Sequence, residues 1–217
     1  MLSKIKFLIL AATLIILSGC GADIICTSGD GTLVTADRTV ASFDEIELRN
    51  SANVFIEQGA VQSVRVEAQE SILPKVETEV SSNRLVIRTK GCIVDHSGMK
   101  VYITVTDLTK IVLNGSGDII STMPIAGNNL ELKLNGSGDI DMEVDVTDLE
   151  TTIIGSGDIT LTGQTEDHII NITGSGDLMS YDMETELTEI DVIGSGDSRV
   201  KVNAELNVDI IGSGNVY

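Results

Sequence analysis

The sequence predicts an all-β protein built as a parallel β-helix, with coils of about 18–21 residues. Three observations predict it. A Gly-Ser-Gly-Asp corner recurs at a fixed period, apolar and polar residues alternate ahead of each corner, and the repeats show no helical periodicity.

The corners begin at Gly115, Gly136, Gly155, Gly174, Gly194 and Gly212, spaced by 21, 19, 19, 20 and 18 residues. Their second glycines are Gly117, Gly138, Gly157, Gly176, Gly196 and Gly214. Self-similarity near twenty residues marks a solenoid, in which each unit buries its apolar face only against its neighbours. A propeller blade needs roughly 40 residues or more, and the leucine-rich-repeat consensus is absent.

Two residues before each corner stand Leu113, Leu134, Ile153, Ile172, Val192 and Ile210. Four before it stand Ile111, Leu132, Thr151, Ile170, Ile190 and Val208, and mostly polar residues lie between. Period-two alternation of this kind belongs to half-buried strands. After the corner a second apolar register begins at Ile119, Ile140, Ile159, Leu178 and Val216, broken by Ser198.

Upstream the alternation continues without the corner, at 43–50, 54–59, 64–68, 85–89 and 101–105. These segments read as earlier, less regular coils over 37–110, with the corner repeats occupying 111–217. The stretches around Lys75–Asn83 and Cys92–Gly98 read as excursions from them. Residues 37–217 form one domain, preceded by a tether over 20–36 and a lipoprotein signal peptide over 1–19.

The signal rests on Lys4 and Lys6, an apolar run from Phe7 to Leu17, and Leu17-Ser18-Gly19-Cys20. The run is short for a membrane span, which needs about 20 apolar residues. Leu-Ser-Gly-Cys resembles the bacterial lipobox, so Cys20 is the expected lipidation site. Acyl chains contribute about 0.8 kcal/mol per buried CH₂, enough for several chains to anchor a protein durably. The expected location is the envelope of a bacterium, membrane-anchored and most simply on the outer membrane.

Net charge is −19, from 14 Lys and Arg against 33 Asp and Glu. Nucleic acid is therefore not an expected partner, because phosphate binding needs a basic stripe. The expected partners are the membrane, through the lipid, and a protein or glycan ligand, with a homo-oligomer as a further expectation. Export makes a Cys26–Cys92 disulfide feasible. His96 and His168 have no Cys or His at metal-ligand spacing and read as surface residues.

Four chemistries can be asked of the corner. Phosphate cradling needs a lysine or a helix start after the glycines, and neither follows. A nucleophilic serine is seldom copied six times. Calcium is the sharper alternative, because Asp118, Asp139, Asp158, Asp177 and Asp197 would stack about 4.8 Å apart. Calcium-binding β-rolls solve that repulsion with a richer glycine repeat of about half this period. The structural reading fits best: glycine permits φ > 0, and Ser and Asp can bond backbone N–H groups two residues on. Asn215 in the last copy keeps an acceptor without the charge. No cofactor is expected beyond this calcium alternative.

The lipobox, RTVASFDEIEL at 38–48, VRVEAQESILPKVETEV at 64–80 and the serial corners together resemble one bacterial family. It is the "putative auto-transporter adhesin, head GIN domain" family, a domain of unknown function, and the likeness covers about 37–217. The resemblance implies a right-handed β-helix on an exported, often lipid-anchored protein, and brings no catalytic residues. The expectation is thus a non-enzymatic, lipid-anchored protein presenting a β-helical rod for binding or adhesion. Two alternatives stand beside it. One is a carbohydrate-active enzyme, for which only Arg199 and Lys201 closely follow a corner aspartate and Trp is lacking. The other is a structural or assembly protein with stacking ends.

Overall fold

The computed structural model describes residues 26–94 and 98–217. Among these residues the chain forms sixteen strands: β1 Thr27–Ser28, β2 Leu33–Asp37, β3 Glu45–Leu48, β4 Asn53–Gln58, β5 Ser63–Gln69, β6 Val76–Ser81, β7 Arg84–Thr89, β8 Ile93–Val94, β9 Lys100–Val105, β10 Lys110–Gly115, β11 Ile119–Ser121, β12 Ile125–Gly136, β13 Ile140–Gly155, β14 Ile159–Gly174, β15 Leu178–Gly194 and β16 Ser198–Gly212. One 3-10 turn, Leu73–Lys75, is the only helical element described.

From β10 onward the chain winds a parallel β-solenoid of about five turns. Each coil has two legs. In β13, Ile140, Met142, Val144 and Val146 point inward; two exposed residues, Thr147 and Asp148, then reset the phase, and Leu149, Thr151 and Ile153 point inward. The reset is a bend, and Gly-Ser-Gly-Asp makes the opposite corner. Parallel pairing in register brings like residues together from coil to coil. One ladder runs Ile87, Leu48, Leu113, Leu134, Ile153, Ile172, Val192 and Ile210. On the other leg runs Val101, Val54, Ile119, Ile140, Ile159, Leu178 and Ser198. Full burial of one such aliphatic side chain contributes roughly 1.5–3 kcal/mol, so the ladders are the main source of stability.

The stacking order in the N-terminal half departs from the chain order. The coil formed by β3 and β4 sits between β10–β11 on one side and β7–β9 on the other. The later segment 84–105 therefore lies outside the earlier segment 45–58. Antiparallel strands cover that end, β5 on β9, β2 on β5, and β6 on β7. The simple succession of early coils expected from the alternation is thus corrected: alternation makes a strand but does not choose its partner. Lys75–Asn83, expected as an excursion, instead supplies β6 and a two-residue hairpin turn. Ser82 and Asn83 both have positive φ, at 51° and 62°, which suits the twist of the flanking strands.

The tether is also shorter than expected. Within 20–36, β2 pairs antiparallel with β5 and β1 pairs with β8. Cys26 and Cys92 are disulfide-bonded, with Cα atoms 4.5 Å apart. The bridge that export made feasible is thus present; what the sequence reading missed is the strand pairing of this segment, because residues 26–36 hold few apolar pairs. Their place is set by backbone pairing and a covalent bond rather than by burial. Cys20 and His96 lie outside the described residues.

Candidate functional site

At the corners the two glycines answer different constraints. Gly155 has φ +131°, and a Cβ there would stand 2.3 Å from the Gly136 carbonyl oxygen of the coil before it. Gly157 has no such φ, yet its Cβ would fall 2.0 Å from the Gly138 oxygen. The first glycine is needed for conformation and space, the second for space alone. Gly115 and Gly117 press in the same way on Asn50 and Ala52, where the β3–β4 coil turns without glycine.

The aspartates bond differently from the expected local turn. The backbone N–H of Asp139 donates to Asp118 Oδ1 at 3.3 Å, Asp158 N–H to Asp139 at 3.0 Å, and Asp177 N–H to Asp158 at 2.8 Å. Asp197 N–H donates to Asp177 at 2.8 Å, and Asn215 N–H to Asp197 at 2.9 Å. Each carboxylate thus accepts from the next coil, not from two residues on in its own. The local pattern occurs instead at Asn50, whose Oδ1 accepts from Ala52 N–H at 3.0 Å. Among the described residues no three His, Cys, Asp or Glu side chains group as a metal site. The corner row is a coil-to-coil clamp.

The basic residues following the last full corner are engaged too. Lys201 Nζ pairs with Glu184 at 2.6 Å, and the Arg199 guanidinium lies 5.3 Å from the Tyr217 ring centroid.

Near the capped end, strand register assembles a surface that sequence reading did not find. Asp37, Arg65, Tyr102, Phe55 and Ile120 fall on one line across β2, β5, β9, β4 and β11. The Phe55 and Tyr102 rings stack, with centroids 5.4 Å apart and planes 18° from parallel. The Arg65 guanidinium is paired with Asp37 at 2.7 Å. One step along the strands lies a second line, Ser63, Thr104 and Glu57. There the Ser63 hydroxyl donates to Thr104 Oγ1 at 3.0 Å and the Thr104 hydroxyl to Glu57 Oε1 at 2.9 Å. All of these except Ile120, together with Ile103 and Thr122, line an open depression of about 560 Å³. Its members lie up to 85 positions apart in the chain, from Asp37 to Thr122, so no local motif announces them.

The profile of the family described as "Putative auto-transporter adhesin, head GIN domain" matches residues 42–217. The chain belongs to the head GIN domain family. Solved structures share its fold, among them the three that follow. A "putative adhesin" from Bacteroides fragilis is 20% identical, with a TM-score of 0.76 over 87% of this chain and 98% of that one. A "putative lipid binding protein" from Parabacteroides distasonis is also 20% identical, with a TM-score of 0.70 over 89% and 100%. A "putative adhesin" from Parabacteroides merdae is 23% identical, with a TM-score of 0.64 over 88% and 97%. At these identities the likeness is one of fold. No curated protein matches the chain in sequence.

Within the GIN domain, two of the buried polar residues are titratable, and both lie away from the depression. His168, expected at the surface, is inside the solenoid and 1% exposed. Its register neighbours are Leu149 and Thr188, so it takes an inward place in a ladder that also holds Leu130 and Leu206. Nε2 and the Thr151 hydroxyl are 2.9 Å apart, while Nδ1 has no partner. Burial pushes its pKa down from 6.5 to about 3. Being sealed in the core, it cannot serve the corner serines as a base. Glu47 is buried on the outer side of β3, bonded by Arg49 at 2.6 Å and by Asn114 Nδ2 at 2.8 Å. The Arg49 hydrogen bond, with lesser help from Asn114 and Arg84, holds its carboxyl below the usual range against the cost of burial.

Proposed function

We propose that this GIN domain protein is a non-enzymatic lipoprotein of the bacterial cell envelope, carried on the outer membrane by lipid on Cys20. In this reading its solenoid is a rigid rod presented for binding or adhesion. One observation carries it: the rod's interior is filled by apolar ladders, while its outward side chains are held in register as continuous lines across the coils. A filled solenoid leaves recognition to the outer faces, and rows fixed by backbone pairing are preorganised for a partner. Of the corner residues most open to a catalytic reading, the aspartates each give one carboxylate oxygen to a backbone N–H of the next coil, and serines such as Ser137 and Ser156 are held to the preceding coil through their backbone N–H. No helix among the described residues is long and apolar enough to cross a membrane.

The test is fractionation and protease shaving of cells carrying the wild type or Cys20→Ala, with adhesion measured in parallel. Membrane retention lost in Cys20→Ala, protease access on intact cells and adhesion that depends on the protein support the reading. Membrane retention of Cys20→Ala, or polysaccharide turnover abolished by Asp158→Asn, overturns it.

A second reading, association with another copy of the chain, has its own observation. Along β16, Val208 is 44% and Ile210 38% exposed, whereas their register partners Ile190 and Val192 are 0% and 1%. Size-exclusion chromatography with light scattering decides it, and a strict monomer removes it.

A further inference from the structure

We propose that the depression bounded by Phe55, Tyr102, Arg65 and Glu57 is a binding site for uncharged glycans; this rests on the binding role above and names its ligand class. The first support is the distribution of aromatic groups. The chain holds three Phe and three Tyr. Two of these six rings are stacked on one another on an outer face of the rod, where they do not contribute to the solenoid's apolar ladders. An aromatic pair beside fixed polar groups offers an apolar surface to the C–H face of a sugar ring and hydrogen bonds to its hydroxyls.

The polar groups have that composition. The Ser63–Thr104–Glu57 chain points every hydroxyl proton toward a carboxylate, which orients the hydroxyl oxygens before a ligand arrives. Glu57 accepts Thr104 through Oε1, so Oε2 remains for a ligand hydroxyl. Arg65 is held by Asp37 through Nε, leaving its terminal NH₂ groups to donate. Carboxylate and guanidinium are thus both available beside an apolar wall, and bonds to charged groups are the stronger kind. The line from Asp37 through Arg65 and Tyr102 to Phe55 crosses three strand spacings, about 14 Å, which suits a short oligosaccharide better than one sugar.

Other ligand classes fit less well. A peptide added as a strand needs unpaired backbone, yet β5, β9 and β4 are each paired on both sides. An acyl chain needs enclosed apolar space, and this depression is open, with the charged groups Asp37, Glu57 and Arg65 in its lining. Glu57 and Asp37, on a chain of net charge −19, disfavour sialylated or uronic acid sugars.

The experiment uses the full-length protein in detergent, applied to printed neutral and acidic oligosaccharides, peptides and phospholipid vesicles, with calorimetry on the glycans that bind. The expected result is binding confined to neutral oligosaccharides. Tyr102→Thr, which keeps a strand-forming residue, lowers affinity at least tenfold, and Glu57→Gln lowers it several-fold with an unchanged melt. Tyr181→Thr, at an exposed tyrosine elsewhere, leaves affinity as it was. If Tyr102→Thr does not fold, Glu57→Gln alone decides. No glycan binding, binding only to acidic glycans, peptides or lipid, or glycan affinity unmoved by Glu57→Gln overturns the proposal. Adhesion of intact cells separates the two claims. Protein-dependent adhesion with an empty glycan array sinks the site and spares the adhesion reading; glycan binding without surface exposure or adhesion does the reverse.

Discussion

Replacing His168 by leucine should flatten the acid sensitivity of this protein. In the folded state the imidazole is buried, with a pKa pushed down from 6.5 to about 3. Between those values the unfolded chain binds a proton that the folded chain refuses, so stability falls as pH falls through that window. At pH 4.5 the unfolded imidazole lies two units below its pKa. At about 1.4 kcal/mol per unit, this single site costs the wild type roughly 3 kcal/mol there and almost nothing at pH 7.5. Leucine at this place would join Leu149 and Leu130 in the same ladder. At neutral pH the added apolar burial is offset by the Thr151 hydroxyl, which loses its partner at a cost of about 1–3 kcal/mol. The net change at pH 7.5 should therefore be small. Urea unfolding of both proteins at pH 7.5 and 4.5 gives the quantity needed, because carboxylates common to both cancel in the difference of differences. The wild type should lose roughly 3 kcal/mol more than His168→Leu across that interval. Equal losses in the two proteins would refute the buried, neutral histidine.

Gly157→Ala should cost more than its small size suggests, because the new methyl falls 2.0 Å from the Gly138 oxygen and the coils must part. A loss of about 2 kcal/mol or more, or a lowering of Tm by at least about 4 °C for a domain of this size, is expected in a thermal melt. Asp158→Ala leaves the Asp177 N–H without its acceptor and should cost about 1–2 kcal/mol, whereas Asp158→Asn keeps the acceptor and should cost under half of that. Equal losses from both would show that charge, not the hydrogen bond, matters at the corner. Since the row already spends one oxygen of each carboxylate on backbone, millimolar calcium should leave the melting midpoint in place. Reduction of Cys26–Cys92 opens a link across 66 residues and by loop entropy should cost roughly 4 kcal/mol, read as a lower urea midpoint under reducing conditions.

The repeating half of the molecule was legible because its rules are local and periodic. A residue that faces inward in one coil faces inward in the next, so Leu134, Ile153 and Ile172 declared both the strand and the period. The same periodicity hid His168. Aligned by coil it stands under Leu149, an inward place, but composition and metal-ligand spacing, the usual questions put to a histidine, pass over its register. The aspartate row was visible as a row, yet its bonds were not: a local turn and a coil-to-coil clamp use the same residues and differ only in which N–H comes within reach.

That this protein is all-β, that its coils repeat near twenty residues, and where those coils turn can all be read along the chain. Alternation, glycine and period are properties of short stretches of chain. The folded arrangement alone shows that segment 84–105 stacks outside 45–58, that 26–36 belongs to the body, and that Asp37, Arg65, Tyr102 and Phe55 share one line. Strand partners far apart in sequence are chosen by the sum of many weak pairings and by which edges remain open. No single stretch carries that information, and the candidate binding surface is made of it.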